Sequence, residues 1–247
     1  MKKTVILCLF SVLMQTVFPQ EAKEIVRKAY NKMEGDSHES LMSMSIVRPS
    51  WSRTLVFKTW AKGTAYSMVL ITEPAKEKGQ VFLKRKNEMW NWIPSIGRMV
   101  KLPPSMLSQG WMGSDYTNDD LLKGNSWVDD YDHVMLGREV TEGYECYKIK
   151  MIPHAETAVV WGSIVVWISV QENYLLRSEY YDEDGQPVKT ETASRLQQMD
   201  GRMIPTHFEI IPAGKQGHKT VVEIKSIRFN IPLDEKFFSL QNMKNLR

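Results

Sequence analysis

The dipeptides Glu142-Gly143, Asp184-Gly185, Asp200-Gly201 and Ala213-Gly214 punctuate the second half of the chain, and the stretches they separate read as strands. Glycine in such pairs supplies the positive φ that tight hairpin turns demand. Residues 133–140, 144–152, 159–170, 174–181, 188–199, 203–211 and 220–229 are extended on this reading. The first half adds residues 42–46, where Met42, Met44 and Ile46 alternate with Ser43 and Ser45, then 55–57, 66–71, 81–84 and 89–93. Roughly a dozen antiparallel segments at hairpin spacing specify a barrel or a sandwich. No internal repeat or low-complexity linker divides them, so a single domain is expected.

One stretch has helical periodicity. Ala22, Ile25, Val26, Ala29 and Met33 fall on one face of a helix over residues 21–33, and Gly35 ends it. Ahead of it, Lys2-Lys3 and the apolar run 4–18 form the charged and hydrophobic regions of a secretory signal, too short for a comfortable membrane helix. Cys8 follows Leu7 without a small neighbour and does not read as a lipid-anchored cysteine. The expected division is a signal peptide at 1–20 and a soluble, exported domain at 21–247. Without the signal, 30 of the 32 basic side chains face 29 acidic ones, a net charge of about +1. Such near-neutrality argues against nucleic acid as a partner. Lys84-Arg85-Lys86 reads as a solvated strand end. Cys146 alone survives signal removal, so no intramolecular disulfide forms, and it reads as an incidental strand side chain.

Residues 97–122 interrupt the procession of strands. Pro103-Pro104 stops the strand ending near Leu102, because proline has no ladder N–H. Residues 105–109 suit one helical turn. Gly110-Trp111-Met112-Gly113 sets two large apolar side chains between glycines, and Ser114-Asp115 reads as the N-cap of an acidic helix start before Leu121 and Leu122. Apolar bulk on hinged backbone is what a lid over an apolar cavity needs. An ordinary core plug explains Trp111 and Met112 equally well.

No catalytic constellation emerges. The histidines His38, His133, His154, His207 and His218 show no metal-ligand spacing, and no nucleophile elbow or phosphate-cradling glycine loop is present. Asp182-Glu183-Asp184-Gly185 reads as a hairpin turn and Asp129-Asp130-Tyr131-Asp132 as a solvated strand start. No cofactor or metal is expected. Within 159–170, Ile164, Val166 and Ile168 take one parity while Val165 and Trp167 take the other, so this strand meets apolar matter on both faces. The chain has 8 Trp and 15 Met, many near its centre. Met adapts to irregular apolar partners, although such stripes also build cores. Trp90, Trp92, Trp111, Met112 and Trp167 are the candidate ligand-binding residues, in a cavity or a lid.

Several motifs occur in a specific order. Trp90-Asn91-Trp92-Ile93-Pro94 leads to Gly97-Arg98, then to Gly113-Ser114-Asp115-Tyr116-Thr117-Asn118-Asp119-Asp120-Leu121. Cys146-Tyr147, Val165-Val166-Trp167-Ile168, Tyr181-Asp182-Glu183-Asp184-Gly185 and Ile231-Pro232-Leu233-Asp234-Glu235-Lys236-Phe237-Phe238 follow. In this order the chain resembles the outer membrane lipoprotein-sorting proteins of the LolA/LolB-like superfamily of periplasmic lipoprotein carriers. The resemblance implies a mainly β, half-open antiparallel barrel of roughly eleven strands, with an N-terminal helix and short lid helices. It implies a periplasmic carrier for acyl chains of lipids or lipoproteins, with envelope donors and acceptors, transient contact with a membrane surface, and no enzymatic activity. A lipid- or envelope-protein-binding sensor or scaffold is the main alternative, and a hydrolase with an unrecognised carboxylate pair is a third.

Overall fold

The computed structural model describes residues 19–123, 126–157 and 159–246, so the expected signal segment lies outside it except for its last two residues. Helix α1 (Pro19–Glu34) buries Ala22, Ile25, Val26 and Ala29, the face that the 3.6-residue period predicts. Gly35 ends it in the left-handed region at φ 64°, its N–H donating to the Asn31 carbonyl at 3.0 Å.

Thirteen strands follow. The first six are β1 (Ser37–Arg48), β2 (Trp51–Lys62), β3 (Tyr66–Glu73), β4 (Val81–Arg85), β5 (Glu88–Ile93) and β6 (Arg98–Lys101). A crossing segment holding the short helix α2 (Asn118–Lys123) separates them from β7 (Tyr131–Thr141), β8 (Tyr144–Pro153), β9 (Ser163–Ser169) and β10 (Leu175–Tyr181). Then come β11 (Pro187–Met199), β12 (Arg202–Pro212), β13 (Lys219–Phe229) and helix α3 (Leu240–Asn245). The thirteen strands among the described residues belong to one antiparallel sheet in the order β6-β5-β4-β3-β2-β1-β13-β12-β11-β10-β9-β8-β7. Each hairpin pairs with its sequence neighbour, and the pairing of β1 with β13 joins the two meanders, for example Met44 opposite Val222. The edges β6 and β7 do not pair with each other, so the barrel is unclosed.

The expected β class and half-open barrel are therefore observed, with thirteen strands against the roughly eleven expected. Short Arg98–Lys101 is the strand that Pro103-Pro104 was expected to stop near Leu102, its side chains mostly exposed and without a clean alternation. The expected strand 159–170 is shorter, starting at Ser163. A Cβ at Gly162 would lie 2.2 Å from the Asp182 carbonyl oxygen, so the chain makes a close approach there that only glycine permits.

Alternation along the strands divides the apolar residues between two faces. On β4, Phe82 joins the cluster around Trp111, while Val81 and Leu83 join Phe238 and Met243 of the C-terminal segment. On β9, Ile164, Val166 and Ile168 pack against Ala22, Ile25, Val26 and Ala29 of α1. Val165 and Trp167 turn to the opposite face beside Cys146, Tyr174 and Leu176. The inner face thus carries α1 and the crossing segment; the outer face carries the C-terminal segment and a second small cluster. The strand that is apolar on both sides meets protein on both. Among the described residues no helix is long and apolar enough to cross a membrane.

Candidate ligand cavity

Residues 102–123 and 126–130 lie between edge strand β6 and edge strand β7 in the chain. Two turns of this segment are short 3-10 helices, Pro104–Met106 and Trp111–Gly113. Between them Gly110 bridges to Thr117, and the Trp111 N–H donates to the Tyr116 carbonyl at 2.7 Å, closing a tight loop. A Cβ on Gly110 would stand 2.5 Å from the Ser114 carbonyl oxygen. Gly110 is there for close backbone approach.

The loop drives Trp111 into the inner face, where it is 3% exposed. Its ring meets Phe57 and Phe82 edge to face, with centroids 5.6 and 5.4 Å away. Met44, Ile46, Leu55, Ile71 and Val222 complete that cluster. Met112 packs against its edge in the left-handed conformation, φ 52°, and Arg53 donates to its carbonyl oxygen. Arg48 donates to both Asp115 carboxylate oxygens at 3.0 and 3.1 Å and to the Gly113 carbonyl at 2.9 Å. Thr220 donates its hydroxyl to Asp115 at 2.7 Å and accepts from the Asp115 N–H at 3.0 Å. Helix α2 is capped by Thr117, three residues beyond the Ser114 that the sequence suggested. Its hydroxyl accepts from the Asp120 N–H at 3.1 Å, and Asp120 accepts from the Thr117 N–H at 2.6 Å.

Between α1 and the inner face lies a cavity of about 280 Å³. Val26, Ala29 and Met33 of α1 form one wall; Val166, Ile168, Leu175, Phe208, Val222, Ile224 and Ile227 form the other, from β9 to β13. Tyr30, Glu34 and His38 lie at one end, Tyr116, Asp120, Tyr180 and Glu191 at the other. At the first end the Glu34 side chain is 28% exposed, and at the other that of Asp120 is 9% exposed. His38 Nδ1 sits 3.1 Å from the Glu34 carbonyl oxygen. Tyr30 Oη is buried without a hydrogen-bond partner among the described residues, and burial raises its hydroxyl pKa well above the ordinary value.

The inner end is a dense polar cluster. Tyr116 donates to Glu191 Oε1 at 2.8 Å and Tyr180 donates to Oε2 at 3.4 Å. Lys189 pairs with Asp120 and lies 4.5 Å from the Tyr180 ring centre and 4.7 Å from that of Trp161. The Trp161 indole N–H donates to the other Asp120 oxygen at 2.9 Å. Burial pushes the Glu191 carboxyl pKa up, against the lowering effects of the Tyr116 hydrogen bond and the Lys189 charge. The same burial holds the Tyr116 and Tyr180 hydroxyls well above the ordinary tyrosine range. This end therefore holds one ion pair and one further carboxyl group.

Only some of the sequence candidates come together. Trp111 and Met112 lie side by side on the inner face, next to the cavity but not in its lining. Trp90 and Trp92 pack on the outer face with Phe238 and Met243, because β5 turns Met89 inward and its even-numbered neighbours outward. Trp167 is also outward, its indole N–H donating to Glu139 and its ring flanked by Lys148 and Arg177 at 4.9 and 5.1 Å. These three tryptophans are not among the residues that line this cavity. The polar end had no sequence signal: Lys189 and Glu191 share a parity on β11, but Thr190 and Thr192 on the other parity are polar as well. Alternation cannot say which side turns inward when both are polar.

The model of a family described as "uncharacterized protein" matches residues 63–245. No curated protein matches the chain. Among solved structures, a DUF1329 family protein from Desulfovibrio piger is 23% identical, with a TM-score of 0.82 over 91% of this chain and 98% of that one. An outer membrane lipoprotein-sorting protein domain from Vibrio parahaemolyticus is 20% identical, with a TM-score of 0.81 over 92% and 100%. A LolA superfamily protein from Nitrosomonas europaea is 24% identical, with a TM-score of 0.78 over 90% and 98%. The chain belongs to the family whose model spans residues 63–245, and its fold is the LolA-like half-open barrel of the lipoprotein-sorting proteins.

Proposed function

We propose that this protein is an exported, periplasmic carrier that holds acyl chains of lipids or lipoproteins in the cavity under α1 and passes them on toward the outer membrane without catalysis. The observation that carries the reading is the cavity itself, walled by aliphatic and aromatic side chains. In this reading the mouth is beside Glu34, whose side chain is the more exposed of the two carboxylates given for the ends. Its 280 Å³ lies just below the range of about 300–1,000 Å³ usual for ligand sites, enough for part of one long chain. Each buried CH₂ stabilises a chain by about 0.8 kcal/mol, so a cavity that stayed rigidly filled would release its cargo slowly.

A second volume is at hand. Met42, Tyr116, Phe208 and Val222 border both the cavity and the Trp111 cluster, so withdrawal of Trp111 and Met112 would join the two spaces. In this mechanism the crossing segment is the lid, and its two apolar side chains refill the inner face when cargo leaves. Loading then depends on the difference in affinity between the open and closed states. The lipoprotein-sorting name of the Vibrio relative supports the ligand class by analogy of fold. Mass spectrometry of lipids carried by the protein from its own envelope is the test. Acyl lipids recovered in stoichiometric amount are expected; an empty protein that also fails to move fluorescent lipid between vesicles would refute the carrier.

A further inference from the structure

The apolar cavity does not end in apolar residues. Its inner end presents the Glu191 carboxyl, with one oxygen accepting from Tyr116 at 2.8 Å and the other accepting at 3.4 Å from Tyr180. A carboxylate has about four acceptor positions, and two are used. Glu191 is half-buried by accessible surface and lines the cavity. Asp120 is already occupied: Lys189, the Trp161 indole N–H and the Thr117 N–H all donate to it. Lys189 in turn is spent on Asp120, on the Asp115 carbonyl at 3.3 Å and on the Tyr180 face. Among the described residues Glu191 is thus the carboxyl group at this end with the most acceptor capacity left over, about two positions against about one on Asp120.

A plain hydrocarbon reaching that end would cover Glu191 and strip its remaining hydration with nothing in return, a cost that a matching polar group removes. The distance from the mouth to this end is short. Val26 to Glu34 of α1 spans the cavity, about 12 Å at 1.5 Å per residue. A polar group part-way along a chain whose head stays at the mouth would arrive at Glu191, and the carbons beyond it would enter the space that Trp111 and Met112 fill.

We propose that the cavity selects an acyl chain carrying a hydrogen-bond donor, a hydroxyl, part-way along its length, and that Glu191 accepts that hydrogen bond. This rests on the acyl-carrier reading and narrows its ligand class. The donor is specified because Glu191 has free acceptor positions while the nearby donors are engaged with Asp120 and Glu191 themselves. The same logic predicts discrimination: a site built around a buried polar group rejects the analogue that leaves it unpaired.

The test is a displacement titration of a fluorescent fatty acid from the intact mature protein with three competitors. These are stearate, stearate hydroxylated midway along the chain, and the methyl ether of that hydroxy acid. The hydroxy acid is expected to compete roughly tenfold better than stearate, and the ether, which cannot donate, no better than stearate. Glu191→Leu should abolish the preference and Glu191→Gln, which keeps an acceptor oxygen, should retain it. Equal competition by stearate and the hydroxy acid in the wild-type protein, or an ether as good as the alcohol, overturns the assignment while leaving the acyl-carrier reading in place. Failure of the fluorescent fatty acid itself to bind overturns both. The comparison among competitors needs only the wild-type chain, so it stands even if Glu191→Leu does not fold.

Discussion

Arg48 and Asp115 form a two-pronged ion pair at 3.0 and 3.1 Å, with side chains only 10% and 7% exposed. It fastens the segment between the two edge strands to the strand at the centre of the sheet. Removing one partner of a buried pair strands a charge, which costs about 3–5 kcal/mol. Asp115→Ala is therefore expected to lower stability by that order in urea unfolding. The double variant Arg48→Met with Asp115→Leu should recover much of the loss. Asp132→Ala, whose side chain is 77% exposed, serves as the surface control and should change stability little.

Trp111 distinguishes a lid from an ordinary core residue. Its edge-to-face contacts with Phe57 and Phe82 set the cost of Trp111→Ala in the lipid-free protein at about 3–5 kcal/mol. On the lid mechanism that cost shrinks when lipid is bound, and the variant binds a fluorescent fatty acid more tightly because less must be displaced. Thermal melts with and without lipid, run beside a titration, read both effects. Equal destabilisation in the two states with unchanged or weaker binding would mean that Trp111 is fixed core.

Glu191 should give the stability curve a definite pH dependence. Burial raises its folded-state pKa above the unfolded value, so the folded chain holds this proton more tightly. Its contribution is fully present below the ordinary carboxylate pKa of about 4.3 and is lost as pH rises through the folded value. Glu191→Gln removes this titration while keeping an acceptor for the Tyr116 hydroxyl. The variant is expected to gain stability relative to wild type as pH rises. A constant difference between the two proteins across the pH range would show that Glu191 titrates normally.

Cys146 should be chemically quiet. It is fully buried beside Trp167 and Leu176, and burial raises its thiol pKa. The folded protein is expected to react with a thiol probe only on unfolding, and Cys146→Ala to leave fatty-acid binding unchanged. Rapid labelling of the native protein would contradict this.

The sequence made the sheet legible because turn glycines and alternating residues report local backbone preference. Residues 42–46 and 220–229 proved to be neighbours in β1 and β13, but that pairing is a long-range fact that no local pattern encodes. The same limit governed the site. Trp111 stood out by its place between Gly110 and Gly113, and it does fill the inner face. Trp90, Trp92 and Trp167 were chosen for chemical character alone, and strand parity carried them to the outer face. Glu191 and Lys189 were invisible because their strand is polar on both parities. A charged residue that lines a cavity looks, in sequence, like one that faces water.

The central claim is that acyl chains enter the space under α1. Ala29 lies on the cavity wall and is 3% exposed, so Ala29→Trp fills that space from the helix side. Titration of a fluorescent fatty acid should saturate at a fixed stoichiometry in the wild-type protein and weaken roughly tenfold or more in Ala29→Trp. Trp90→Ala on the outer face should bind as wild type does. Absence of saturable binding in the wild-type protein, or binding by a folded Ala29→Trp protein as tight as wild type, would contradict the account.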